Sequence, residues 1–265
     1  MNQDLTVTLI QSDIIWNDID KNLSAFDKKI GSIDLDTDLI ILPEMFTTGF
    51  TMDAAELAEG MDGRGVSWMK EKAEENNTAI MGSLIIQEGG KYYNRLIWMN
   101  PNGSHHKYDK RHLFAMAGED RYYSAGNDKV IVNYKGWNIC PLVCYDLRFP
   151  VWSRNVDSQY DLLIYIASWP NKRAYDWNTL LRARAIENQS YVVGVNRVGT
   201  DGNGHLYNGD SCIIDPGWNK TLFHHEHTEL IHTETLSKYH LSKVREKLPF
   251  SRDADKFNIE SFTCE

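Results

Sequence analysis

WNICPLVCYDLRFP, Trp137 to Pro150, is the most informative stretch of this 265-residue chain. Trp137 to Val143 is an apolar run with the length of a buried strand, and it stops abruptly at Cys144. Polar residues follow at once, and from Arg148 onward the pattern turns helical. At a strand-to-helix corner a cysteine holds its sulfur at the open end of a sheet, beside the first N–H groups of the next segment. Such groups lower a thiol pKa and hold an oxyanion, so the position suits a nucleophile. A buried cysteine is also an ordinary small hydrophobe. The assignment therefore needs a base and an oxyanion stabiliser from elsewhere in the chain.

Working outward, Leu162 to Ala167 reads as an apolar strand, Tyr175 to Gln189 as a helix and Tyr191 to Val195 as a further strand. Ser211 to Ile214 is a strand between the turns Asp201-Gly202-Asn203-Gly204 and Asp215-Pro216-Gly217. One more helix is expected beyond Glu234, then a polar tail from about residue 248. Upstream, Val130 to Tyr134 and Trp137 to Val143 flank the turn Lys135-Gly136, and Ala79 to Gln87 and Lys91 to Met99 flank Gly89-Gly90. Nearer the start, Leu5 to Gln11 and Asp38 to Leu42 read as strands. Ile19, Leu23, Phe26 and Ile30 mark one helix, and Val66 to Asn76 is a second. Ser104 to Gly126 has no clean period, and long irregular segments of that kind are commonly functional. Alternating strands and helices define an α/β fold, and the hairpins make its sheet mixed. No linker or repeat divides the chain, so residues 1–265 read as a single domain.

A net charge of -9 argues against general nucleic-acid binding and against docking on anionic membranes. Cys140, Cys144, Cys212 and Cys264 are too few for a disulfide scaffold in a chain this long. The first residues lack a secretory pattern, and no apolar run approaches the ~20 residues of a membrane-spanning helix. These features fit a cytoplasmic protein.

Glu44, in LPEMF, lies just past a buried strand between Pro43 and the apolar pair Met45 and Phe46. Desolvation there would raise its pKa toward the range of a general base. Lys110, in YDKRHLF, follows a strand-like approach through His106 and Tyr108, and an ammonium beside a thiol stabilises a developing oxyanion. Cys140 faces the core, and its spacing from Cys144 is neither redox nor zinc-like. The run His224 to His227 reads as a polar surface segment rather than a metal site. Trp169 and Tyr175 are core aromatics or pocket walls.

Together, LPEMF, YDKRHLF and LVCYDLRFP, with AGEDRYYSAG and ARAIENQSYVVGVNRVG, resemble the Glu–Lys–Cys motifs of the nitrilase superfamily of carbon–nitrogen hydrolases. The motifs stand in the family's order, and the resemblance runs from the first strand to about Gly217. It implies a four-layer α-β-β-α sandwich with mixed sheets, assembled as a homodimer or larger homo-oligomer. It implies Glu44 as general base, Lys110 as oxyanion stabiliser, Cys144 as nucleophile and Glu119 as an additional glutamate that positions the lysine. The backbone N–H of Tyr145 would complete the oxyanion site. No metal or organic cofactor is implied, and the expected partner is a small-molecule amide.

Within the superfamily, CYDLRFPVWSRN followed by the SWP element at Ser168 to Pro170 is most similar to the omega-amidases. These hydrolyse the terminal amide of 2-oxoglutaramate and 2-oxosuccinamate. Amidases of deaminated glutathione share the CYDLRFP core and are one alternative, with other amidases of the superfamily; a metal- or redox-binding protein built on Cys140, Cys144 and the histidine run is the alternative from another class. A carboxylate-bearing substrate calls for a bidentate cation. Arg173 is the candidate, with Trp169 and Phe46 as further substrate-binding residues, whereas Arg148 is read as paired to Asp146 or another acidic neighbour.

Overall fold

The computed structural model describes residues 4–217 and 220–259. Cys264 and the last of the tail lie outside these residues. Strand β1 (Leu5–Gln11) leads through helix α1 (Ile19–Gly31) to the parallel strand β2 (Leu39–Ile41). Asp18 caps α1 by accepting from the Lys21 N–H. The one-turn α2 (Ala54–Leu57) and the longer α3 (Arg64–Asn76) precede β3 (Ala79–Glu88), which is parallel to β2. Gly89 and Gly90, both at positive φ, fold β4 (Lys91–Met99) back onto β3, and β5 (His105–Asp109) pairs antiparallel to β4.

The second sheet begins with β6 (Val132–Tyr134), which pairs antiparallel to β7 (Trp137–Val143). A single turn, α4 (Pro150–Ser153), leads on to β8 (Leu162–Ala167). Helix α5 (Ala174–Asn188) then joins β8 to β9 (Tyr191–Asn196), and β7, β8 and β9 run parallel. β10 (Val198–Thr200), β11 (Leu206–Ile214) and β12 (Thr221–Glu226) complete this sheet. β13 (Leu230–Leu236) returns to the first sheet, antiparallel to β1, before α6 (Lys238–Lys247). The first sheet therefore has the order β13-β1-β2-β3-β4-β5.

Side-chain alternation along the strands builds the layers. Leu5, Val7 and Leu9 of β1, Leu39 and Ile41 of β2, and Leu96 and Trp98 of β4 face the second sheet. Ile10, Ile40, Ile80 and Ile97 face the other way, onto Leu23, Phe26 and Ile30 of α1 and Val66, Met69 and Ala73 of α3. On the far side, α5 buries Trp177, Leu181 and Ala185 against the second sheet. The layers are α-β-β-α. Each fully buried large apolar side chain contributes ~1.5–3 kcal/mol, against ~0–1 kcal/mol for a surface ion pair. The inter-sheet core therefore sets how the two sheets sit against each other.

The structure departs from the sequence reading in several places. Ser104 to Gly126 contains β5, whose residues are exposed except for Tyr108 and the half-buried Asp109, so no alternation marks it. Most of the His224–His227 run lies on β12, where successive side chains face opposite ways. His224 pairs with Asp210 and His225 with Thr228. β13 is a whole strand beyond the turn at Gly217. The helical pattern expected from Arg148 onward gives one α turn only, because Phe149, held extended before Pro150, separates it from the preceding 3-10 turn.

Candidate active site

Strand direction explains why three distant motifs meet. β5 is two antiparallel steps from β3, so it runs the same way as β2, and the segments leaving both reach one edge of the first sheet. Glu44 lies just past β2 and Lys110 directly follows β5. In the second sheet Cys144 directly follows β7 and Ser168 directly follows the parallel β8. The Ser168 N–H donates to Glu44 Oε2 at 2.8 Å, which joins the edges of the two sheets.

Lys110 Nζ lies 2.9 Å from Glu44 Oε1 and 3.0 and 2.9 Å from the two oxygens of Glu119. Asn94 Nδ2 donates to Glu44 Oε1 at 2.8 Å and to Glu119 Oε1 at 3.3 Å. Glu119 also accepts the Phe114 N–H at 2.5 Å, which folds the segment after Lys110 over the site. Gly126 closes that segment against Lys110 O, and a Cβ there would lie 2.3 Å from Asp109 O. Only a glycine permits this approach. Glu44 and Glu119 are fully buried and Lys110 is 1% exposed, whereas Cys144 retains 9%. Cys144 is therefore the least buried member of the group.

The Cys144 pKa is raised well above its ordinary value, by burial first, then by the charge of Glu44 and a hydrogen bond to it. Lys110 and the Ser168 N–H oppose the rise without reversing it. Two carboxylates around one ammonium leave no surplus positive charge to hold a thiolate. The thiol therefore needs a base, and Glu44 is the carboxylate whose charge reaches it. Burial opposes the Lys110 charge, but Glu119, Glu44 and Cys144 outweigh burial and hold the pKa above the usual lysine range. Cys144 itself has a φ of 45°, the left-handed conformation of a nucleophile corner. The Tyr145 N–H belongs to the first turn of the 3-10 segment Cys144–Arg148, where amides lack an intrahelical partner.

An aromatic wall stands beside Tyr145 and Lys110. The Tyr145 ring packs on Phe114 at 4.9 Å and on Phe149 at 5.1 Å, and the Phe50 ring lies 5.0 Å from Lys110 Nζ. The Arg173 guanidinium stands 5.1 Å over Phe114, and its own carbonyl accepts the Trp169 Nε1–H at 2.8 Å. Among the described residues no carboxylate pairs with Arg173. Arg148 instead bonds Asp176 at 2.6 Å, with its guanidinium over Trp169, so its acidic partner is Asp176 and not Asp146. Phe46 is corrected. It is fully buried on the α1–α3 side of the first sheet, 5.4 Å from Phe26 and 5.6 Å from Trp68, and offers a substrate no surface. Cys140 is fully buried, and burial pushes its thiol up to about 12. Asn94, Phe50 and the Ser168 N–H escaped the sequence reading, because sequence spacing carries no sign of their proximity to Glu44 and Lys110.

An α-β-β-α sandwich with a glutamate, a lysine and a cysteine gathered at one edge defines a class, and this chain belongs to it: the carbon–nitrogen hydrolase family model matches residues 6–235. The chain is 48% identical over 257 residues to the omega-amidase YafV of Escherichia coli (strain K12), covering 96% of this chain and 98% of that one. It is 32% identical over 255 residues to the 2-oxoglutaramate amidase of Bacillus subtilis (strain 168), covering 95% and 98%. Among solved structures it resembles XC1258 of Xanthomonas campestris, a CN-hydrolase superfamily protein with an arsenic adduct in its active site. That match has a TM-score of 0.95 and 41% identity, covering 97% of this chain and 100% of the other.

Proposed function

We propose that this chain is an omega-amidase that hydrolyses the terminal amide of 2-oxo dicarboxylic acid monoamides, releasing ammonia. The reaction class rests on one observation: a buried Glu44, 2.9 Å from Lys110 Nζ, whose charge acts on the Cys144 thiol. The substrate class rests on the 48% identity to an omega-amidase over nearly the whole chain. The unpaired Arg173 guanidinium beside the aromatic wall supports a substrate with a carboxylate.

Glu44 takes the Cys144 proton as the sulfur attacks the amide carbon, and the S–C bond forms. Lys110 and the Tyr145 N–H stabilise the oxyanion. As the C–N bond breaks, Glu44 returns the proton to the leaving nitrogen, and ammonia departs from a thioester. Glu44 then deprotonates a water that attacks the thioester carbonyl. The C–S bond breaks, the 2-oxo acid leaves and the sulfur regains its proton. Glu119 holds Lys110 in place, and Trp169 shapes the wall beneath Arg173.

We read the chain as one hydrolase unit, supported by a core continuous from Leu5 to Leu241. A homodimeric or larger assembly is supported by the exposed Tyr175, Ile186 and Val151 on α5 and α4. The free thiols Cys140, Cys144 and Cys212 fit a reducing cytoplasm. No helix of the described residues is long and apolar enough to cross a membrane.

The test is ammonia release from 2-oxoglutaramate, deaminated glutathione and glutamine in parallel. Preferential turnover of the 2-oxo amide is expected. Preference for deaminated glutathione would keep the chemistry and overturn the substrate, and absence of turnover on any of them would overturn the proposal.

A further inference from the structure

Asp146 is a fully buried carboxylate that no step above employs. Its Oδ2 accepts Tyr108 Oη at 2.7 Å and the Val143 N–H at 3.0 Å. Its Oδ1 accepts the His112 N–H at 3.1 Å and meets His112 Nδ1 at 2.8 Å. The Tyr108 hydroxyl itself accepts from Trp152 Nε1 at 3.0 Å and from the Arg111 N–H at 3.3 Å, which turns its proton toward Asp146.

These partners bracket two other residues. Val143 and Asp146 stand on either side of Cys144, while Tyr108 and His112 stand on either side of Lys110. We infer that Asp146 is the positioning residue that sets the Cys144 sulfur against Lys110, by holding the nucleophile corner of the second sheet to the lysine corner of the first. The inference rests on the reading of Cys144 and Lys110 given above. Glu44 also joins the sheets, but through Ser168 at the end of β8. The Val143 N–H bond to Asp146 spans Cys144, whose left-handed backbone is strained for any residue but glycine and persists only where its surroundings hold it.

A carboxylate is required at this position, not merely a polar group. Each oxygen faces a backbone N–H, Val143 at one and His112 at the other. An asparagine in either orientation would turn its own N–H groups against one of them. Asp146→Asn is therefore expected to lower kcat about 10²-fold, the scale of a displacement near 1 Å in a reacting pair, with KM little changed. Alkylation of Cys144 by iodoacetamide, which needs no oxyanion stabiliser, should fall far less. Tyr108→Phe, which removes one donor and no packing volume, should shift both readouts the same way by a smaller factor. It carries the test if Asp146→Asn does not fold.

Asp161 serves as the structural control. It too is a buried carboxylate, accepting the Asn138 N–H at 2.9 Å and Arg245 Nη1 at 3.0 Å, but just before β8, at the opposite end from Ser168. Asp161→Asn should lose stability and keep kcat per folded molecule. The inference is overturned if both Asp146→Asn and Tyr108→Phe keep wild-type kcat, if Asp161→Asn loses kcat equally, or if alkylation and turnover fall by the same factor. Wild-type turnover that disappears in Cys144→Ala checks the underlying reading separately, and turnover that survives that change overturns both.

Discussion

Replacing Lys110 with methionine removes the ammonium that two buried carboxylates share and leaves most of the side-chain volume in place. At an effective dielectric of about 20, each contact near 3 Å is worth roughly 6 kcal/mol of attraction, largely offset by the desolvation of both partners. The cost of removing the ammonium has a ceiling, because a carboxylate left without it can take up a proton. With an ordinary carboxyl pKa of about 4.3, protonation at about pH 7 costs close to 4 kcal/mol. That agrees with the 3–5 kcal/mol typical of breaking a buried pair. Burial and the charge of Glu44 already raise the Glu119 pKa while Lys110 pulls it back, so removing the lysine raises it further.

The sign follows from linkage. The folded variant binds one proton more than its own unfolded state, whereas the wild type takes up none on folding, so the stability deficit shrinks by about 1.4 kcal/mol for each unit the pH falls from about 7 toward about 5. Urea unfolding of both proteins across that range measures the deficit, and a kcat loss of at least about 10²-fold should accompany it. A deficit independent of pH, or one below about 1 kcal/mol at neutral pH, would refute the reasoning.

Three further outcomes are expected. The difference in thiolate absorbance between wild type and Cys144→Ala should show no step below the ordinary thiol value of 9.0, because burial and Glu44 raise the Cys144 pKa; a step at or below about pH 7 would mean a preformed thiolate instead of general-base catalysis. Arg173→Met should raise KM for 2-oxoglutaramate by roughly 10- to 100-fold, the worth of a charge-assisted hydrogen bond, and leave KM for a neutral amide nearly unchanged. Equal effects on both would remove Arg173 from the pocket. Glu119→Gln keeps Glu44 beside Lys110 but turns an amide N–H toward a donor, so kcat should fall about tenfold or more. Full activity in that variant would contradict its role in holding the lysine.

The layers and the catalytic edge were largely legible in the sequence. Apolar runs such as Asp38 to Leu42 and Leu162 to Ala167 are continuous because both faces of their strands are covered. Strands with a solvated face were not legible. β5 and β12 carry histidines and charged residues on exposed positions, so neither shows the alternation that marks a strand. Adjacency in sequence misled at Phe46: Met45, at a φ of 45°, turns the chain, and the phenyl ring enters the helix-side core while Glu44 faces the second sheet. The partners of Asp146 and Asn94 were invisible for a different reason. Each acts across strands far apart in sequence, and only the sheet order brings the donors to the acceptors.

The most direct test of the account is a rapid acid quench of the enzyme during turnover of 2-oxoglutaramate, followed by mass analysis of its peptides. A 2-oxo acyl group is expected on the Cys144 peptide, labile to hydroxylamine and absent from Cys144→Ala, which also loses turnover. Continued ammonia release by Cys144→Ala, or an acyl group on another residue, would contradict it.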